Sequence, residues 1–164
     1  MRLIGLAGWS GAGKTTLLTR VIPLLRARGI GVSTIKHAHH GFDVDRPGKD
    51  SYLHREAGAS QVLVSSSVRS ALMTEHRGAA EPGLDALLRQ LAPVDLVIVE
   101  GFKRDAIPKL EVHRAANGKP WIHPDDPMVR AVVSDARPGA ALPWAPLDDA
   151  AAAAGLMLEH AVAR

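Results

Sequence analysis

Gly8-Trp9-Ser10-Gly11-Ala12-Gly13-Lys14-Thr15-Thr16 holds three glycines, a lysine and two threonines at spacings suited to phosphate chemistry. Its form is G-x-x-x-x-G-K-[ST], the Walker A phosphate loop. Glycines at 8, 11 and 13 can take positive φ without a side-chain clash, so successive backbone N–H groups can turn inward around an anion. The helix expected to follow adds unpaired N–H groups and the positive end of its dipole. Lys14 would set a point charge on the β- and γ-phosphates, the Thr15 hydroxyl would ligate Mg²⁺, and Thr16 would serve the α-phosphate. Gly11, Ala12, Gly13, Lys14, Thr15 and Thr16 are therefore the candidate phosphate-binding residues. The alternative is a glycine-rich strand-to-helix turn that binds nothing. The loop by itself selects neither a base nor a reaction.

Two further stretches carry groups that meet charged ligands. From Lys36 to Ser51 the chain has His37, His39, His40, Asp43, Asp45, Asp50, Lys36, Arg46 and Lys49. It follows a strand, on the edge where open α/β sheets place ligands. One reading is a phosphate and Mg²⁺ shell, with Asp45 or Asp43 holding the ion or its waters. A second is a transition-metal site on His37, His39 and His40, and a third is a plain solvated loop. The other stretch is Val94-Asp95-Leu-Val-Ile-Val-Glu100-Gly101-Phe102-Lys103-Arg104. An apolar run ending in an acid fits a Walker B strand with its carboxylate beside Mg²⁺. The acid is Glu100, suited to orienting a water on the ion; Asp95 lies at the wrong end. A core strand ending in a solvated Glu is the other reading. Lys103 and Arg104 follow at once, placed either to reach phosphate or a second anionic ligand or to be a surface pair.

The elements that must position these groups can be read from periodicity. Arg2–Ala7 reads as a buried strand. Thr15–Arg28 reads as a helix, with Leu17, Leu18, Val21, Ile22, Leu24 and Leu25 at helical spacing. Pro23 removes one hydrogen bond and should bend that helix, and Gly29 reads as its C-terminal cap. Ile30–Lys36 is a second strand, a β-α-β alternation that implies a parallel sheet. A short helix from Asp50 or Ser51 to Ala57 stops at Gly58. Ser60–Ser65 and Val68–Thr74 read as an antiparallel pair, and Leu84–Leu91 as a short amphipathic helix. Lys109–Arg114 reads as a strand alternating charged and apolar residues, Asn117–Pro120 as a turn, and Val129–Ser134 as a late buried strand. Asp135, at that strand's end, is a candidate contact to a nucleotide base. Pro138–Pro146 reads as a proline-rich connection and Leu147–Ala163 as an alanine-rich helix capped near Asp148.

With 164 residues, 46% hydrophobic and 23% charged, the chain reads as a single globular domain spanning 1–164. The formal charge is +3, the basic residues are scattered and only 4% of residues are aromatic, which speaks against a nucleic-acid surface. The absence of cysteine excludes thiolate metal sites, disulfides and Cys nucleophiles. No apolar run approaches membrane-spanning length and no leader precedes the first strand. A soluble, cytoplasmic protein without a membrane partner is expected. The fold class is α/β: a P-loop NTPase-type, mostly parallel sheet flanked by helices, with one antiparallel strand pair.

Taken together, Gly8–Thr16, Thr34–Asp45, Gly48–Ser51, Arg55–Gly58 and Val99–Lys103 resemble the MobB family of molybdopterin-guanine dinucleotide biosynthesis adaptors, as does Pro108–Arg114. The resemblance covers roughly residues 2 to 135. It implies a GTP-binding protein, typically a homodimer, that assists the molybdenum cofactor guanylyltransferase and has at most slow GTPase activity. That partner joins GMP from GTP to molybdopterin, so molybdopterin itself is a further candidate ligand. Carried over by position, Gly11, Gly13, Lys14, Thr15 and Thr16 hold phosphates and Mg²⁺, with Asp45 and Glu100 near the ion. The run His37–His40 and Lys103 line the same cleft. Guanine preference comes from the resemblance alone, since the N-K-x-D signature of switch GTPases is missing: Asn117-Gly-Lys-Pro120 lacks the Asp. If catalysis occurs, it is water attack on the γ-phosphate, with Lys14 and Mg²⁺ stabilising charge and Glu100 positioning water. The rivals are an ATP-dependent small-molecule kinase whose 37–50 segment binds the acceptor, and a regulatory switch GTPase.

Overall fold

The run Leu3–Ala7, whose residues are all buried, lies at the centre of a sheet in the computed structural model, which describes residues 1–38 and 41–164. Two compact units make up the chain, one of residues 1–37 and 87–164, the other of residues 38–86.

The larger unit is built on β1 (Arg2–Ala7), β2 (Val32–Lys36), β5 (Leu96–Glu100), β6 (Lys109–His113), β7 (Val129–Ser134), β8 (Trp144–Pro146) and β9 (Val162–Ala163). The order is β2-β5-β1-β6-β7-β8, every neighbouring pair parallel. β9 pairs antiparallel with Arg2 and Leu3, while β6 takes Gly5–Ala7 on the same flank of β1. Parallel strands covered on both faces read as continuous apolar runs, and β1 and β5 do so. Helix α1 (Lys14–Ala27) buries Leu17, Leu18, Val21 and Leu25, and α4 (Ala150–His160) buries Ala150, Ala153, Ala154 and Met157. These residues share one core with Ile4, Leu6, Ile98, Leu110 and Val133. α1 runs on past Pro23, which is exposed together with Thr19, so water can take the carbonyl that proline leaves unpaired. Gly29, at φ 76°, closes the helix by donating to the Arg26 carbonyl.

The smaller unit holds α2 (Asp50–Glu56) and the antiparallel ribbon β3 (Gln61–Ser65) with β4 (Ser70–Thr74). Helix α3 (Leu84–Leu88) follows. The α2 cap is Lys49, with Asp50 already in the first turn. Arg55 gathers the unit's loops: it bonds Asp43 at 2.8 Å, Glu75 at 2.9 Å and Asp45 at 3.3 Å. That guanidinium holds the Asp43 carboxyl below its usual range. Among the described residues no helix is long and apolar enough to cross a membrane.

Three elements differ from their sequence reading. Trp144–Pro146 is not a connection but an edge strand, a place in a sheet where proline's missing donor is harmless. The last helix ends at His160 and is capped by Asp149, whose carboxylate accepts from Ala152 N–H; Val162 and Ala163 leave it to pair with β1. Alternation of charged and apolar residues ordinarily marks a half-exposed strand, yet all five residues of β6 are buried. The reason is that residues 120–128 lie against its charged face. There Lys109 pairs with Asp126 at 2.8 Å and His113 stacks on Trp121 at 3.6 Å between centroids. Glu111 accepts from the N–H groups of Ile122 and His123.

Candidate functional site

Three strand ends converge on the glycine loop. In register, Glu100 on β5 lies between Leu6 on β1 and Lys36 on β2. The loop leaves β1 and enters α1 through Gly13, whose φ of 98° is left-handed. Gly8 leaves no space for a side chain, since a Cβ there would stand 2.5 Å from the Val112 carbonyl oxygen. The other face of the loop is braced by Asn117, whose amide donates to Ser10 O at 3.1 Å and packs on Gly11. Asn117, the first residue of the incomplete N-K-x-D pattern, thus supports the glycine loop.

Lys14 lies back along the loop. Its ammonium donates to Gly8 O at 2.8 Å and Trp9 O at 3.2 Å, and stands 3.7 Å from Glu100 Oε1. Burial holds this ammonium below the usual lysine range; Glu100 opposes the shift, while Lys103 and Lys36 reinforce it. One carboxylate among three lysines leaves an excess of positive charge at the loop, which favours an anion. Lys103 Nζ lies 5.0 Å above the Trp9 ring, and Trp9 Nε1 donates to Pro120 O at 2.8 Å. Thr15 and Thr16 are exposed at the first turn of α1, and Ala12 is buried beneath the loop.

His37 joins the same edge. Its N–H donates to Glu100 O at 2.9 Å and its ring meets Phe102 edge-on at 5.5 Å. Gly101, at φ 99°, permits this approach: a Cβ would come within 2.7 Å of His37 Cβ. His39 and His40 lie outside the described residues, so the three-histidine reading has only His37 within them. Among the described residues no group of three His, Asp or Glu side chains is placed to hold a metal. Asp45 belongs to the smaller unit, where Arg46 N, Ser51 Oγ and Arg55 Nε all donate to its carboxylate. Asp95, at the far end of β5, accepts from Gly31 N at 2.7 Å, a structural bond.

Beside Gly13 and Thr16 opens a cleft of about 450 Å³, a size usual for small-ligand sites. Arg20, Arg114, Asp135, Trp144 and Leu147 are among its walls. Arg114 Nη2 would stand 3.3 Å from a Cβ on Gly13, which places it at the phosphate end. Asp135 Oδ1 accepts from Ala115 N at 2.8 Å. Trp144 donates to Ser134 Oγ at 2.8 Å and carries the Arg137 guanidinium 4.9 Å from its ring. Reading the sequence singled out Asp135 but missed Arg20, Arg114 and Trp144. Arg114 carried a usable signal, the end of a strand; only the β1-β6 pairing shows that this end borders the loop.

The family model described as molybdopterin guanine dinucleotide synthesis protein B (MobB) matches residues 3–135. The molybdopterin-guanine dinucleotide biosynthesis adapter protein of Escherichia coli (strain K12) is 48% identical over 136 residues, 81% of this chain and 78% of that relative. The protein of the same description from Haemophilus influenzae is 50% identical over 121 residues, 72% of this chain and 66% of its own. A crystal structure of molybdopterin-guanine biosynthesis protein B superposes with a TM-score of 0.76 at 30% identity, covering 96% of this chain and 97% of that one. With a phosphate loop on a mostly parallel sheet and relatives of this closeness, the chain belongs to the MobB family.

Proposed function

We propose that the chain is a cytoplasmic GTP-binding adapter in molybdopterin guanine dinucleotide biosynthesis, assisting the guanylyltransferase that joins GMP to molybdopterin. The observation that carries the nucleotide half of this reading is the setting of Lys14. It is an ammonium held on the loop carbonyls beside Glu100, with Lys36 and Lys103 in the same field. A triphosphate on this loop takes over the Lys14 charge and the N–H groups at the start of α1. The Thr15 hydroxyl, exposed at the first turn of α1, and the Glu100 carboxylate are oxygen donors of the kind Mg²⁺ takes, and they would hold the ion. The ion, when bound, neutralises phosphate charge.

Any hydrolysis is slow water attack on the γ-phosphate, with Lys14 stabilising charge and Glu100 positioning the water. His37 and Lys103 line the γ-phosphate side. The relatives' description as adapters supports a partner in the pathway, and molybdopterin is the second ligand such a partner brings. A homodimer is supported by apolar side chains exposed on the smaller unit, with Leu63 66%, Val68 82% and Leu72 52% accessible. The kinase reading draws less support: two of the charged residues it would lend to an acceptor, Asp43 and Asp45, are already paired with Arg55.

The test is calorimetric titration with GTP and with ATP, each with Mg²⁺, alongside phosphate release and capture of a guanylyltransferase. GTP preference, slow release and loss of binding in Lys14→Ala are expected. Fast acceptor-dependent turnover of ATP would overturn the adapter reading.

A further inference from the structure

We infer that Asp135 is the residue that selects guanine, acting from the cleft beside Gly13 and Thr16. This rests on the nucleotide reading above and names the determinant that the missing N-K-x-D signature left unassigned. A nucleotide whose α-phosphate sits at Thr16 has its nucleoside next to the loop, and the cleft lined by Gly13 and Thr16 is built for one. Leu17, Pro146, Leu147 and Trp144 supply apolar wall for a planar ring, and Arg114 closes the end nearest the phosphates.

The polar wall decides which ring is accepted. Guanine presents two adjacent donors, N1–H and the 2-amino group, where adenine presents an acceptor at N1. Asp135 lies at the C-terminal end of β7 and is an acceptor only. Ala115 N–H fixes Oδ1, so the carboxylate cannot swing freely. Oδ2 and the second lone pair of Oδ1 remain to accept, side by side, the two donors of guanine. Adenine would set its own lone pair against that charge. Ala115 follows Arg114, so a single turn at the end of β6 orients the carboxylate and sets the phosphate-end cation.

The same fixed bond predicts what Asp135→Asn does. The Asn carbonyl keeps the Ala115 N–H, and its amide NH₂ then occupies the position of Oδ2. A donor there opposes guanine's 2-amino group and suits xanthine, which carries a carbonyl at that carbon. Calorimetric titrations of wild type and Asp135→Asn with GTP, xanthosine triphosphate and inorganic triphosphate, all with Mg²⁺, read this directly. In the variant GTP should weaken by about 10- to 100-fold, the loss of hydrogen bonds to a charged group. Xanthosine triphosphate should tighten, and inorganic triphosphate should bind as before. Inosine triphosphate, which lacks the 2-amino group, should bind wild type more weakly than GTP and needs no variant. Wild-type GTP preference with unchanged GTP and xanthosine triphosphate affinities in a folded Asp135→Asn would overturn the assignment and leave the nucleotide reading standing. Wild type that binds inosine triphosphate as tightly as GTP would overturn it too. Wild type that fails to bind GTP would overturn both.

Discussion

Glu111→Gln removes one charge and no volume from the most enclosed acid of the chain, and its cost can be worked from three bonds. Glu111 is fully buried on β6. Oε1 accepts from Ile122 N at 2.7 Å; Oε2 accepts from His123 N at 3.0 Å and meets His123 Nδ1 at 2.9 Å. Gln offers one carbonyl oxygen and one NH₂. Turned either way, its NH₂ faces a backbone N–H that is left without an acceptor, at about 1–3 kcal/mol. The surviving backbone bond loses its charge assistance, about another 1 kcal/mol. A histidine tautomer that accepts from the new NH₂ recovers about 1 kcal/mol of this, so the net loss is about 1–3 kcal/mol. For a chain of this size that lowers Tm by roughly 3–12 °C. Calorimetric unfolding of both proteins measures it. The loss should reach the phosphate loop as well, because Pro120, just before the braced segment, accepts from Trp9 Nε1; GTP affinity should fall with stability. A Tm within about 2 °C of wild type would refute the brace, since it would mean the carboxylate contributes no more than its neutral isostere.

Nucleotide affinity should depend on pH through Lys14. Its ammonium is held below 10.5 by burial, with Glu100 opposing and Lys103 and Lys36 assisting. Phosphate binds the protonated form, so affinity is intact at neutral pH and falls as pH rises through this lowered value; titrations that stay flat to about pH 11 would contradict it. The stability linkage has the opposite sense. The unfolded chain holds the proton in the window between the lowered value and 10.5, so this group's contribution to stability rises with pH there. Gly101→Ala should cost about 2–4 kcal/mol, from a left-handed φ and a Cβ driven against His37. Urea unfolding with GTP titration would check it, and wild-type values in both would show that the Glu100-His37 corner tolerates a side chain.

The glycine loop was legible because its chemistry is local: the spacing that makes a phosphate nest lies within nine residues. Strands β1, β5 and β7 were legible as apolar runs. Glu100 could be recognised at the end of such a run, and the fold sets it beside Lys14. What stayed hidden depends on sheet order. Arg114 borders Gly13 only because β6, after a long detour in sequence, returns to lie beside β1. The burial of Lys109, Glu111 and His113 was illegible for the same reason, since their partners Asp126, Trp121 and His123 come from a later segment without periodicity. Trp144–Pro146 reads as part of a proline-rich connection because Pro143 precedes it and Pro146 ends it, and a three-residue edge strand has no periodicity to read. Val162 and Ala163 read as helix because alanine-rich sequence favours one; their pairing with β1 is a tertiary choice.

The strand order also explains why one edge of the sheet carries the candidate groups of the larger unit. Parallel strands all end on the same side, so the residues following β1, β2, β5, β6 and β7 are gathered there without further design. β1 sits between β5 and β6, so its loop receives Glu100 and Lys103 from one neighbour and Arg114 and Asn117 from the other. The two sides differ in chemistry. The β5 side brings an acid and lysines to the position where, on the proposed reading, phosphate and Mg²⁺ charges would meet. The β6 and β7 side brings an arginine, a bound carboxylate and an apolar wall, which suits a nucleoside. On the proposed reading, the glycine loop thereby stands between a half that would handle charge and a half that would read the base. On this arrangement substitutions at Glu100 should alter the dependence on Mg²⁺, and those at Asp135 the choice of base, with little crossover between them.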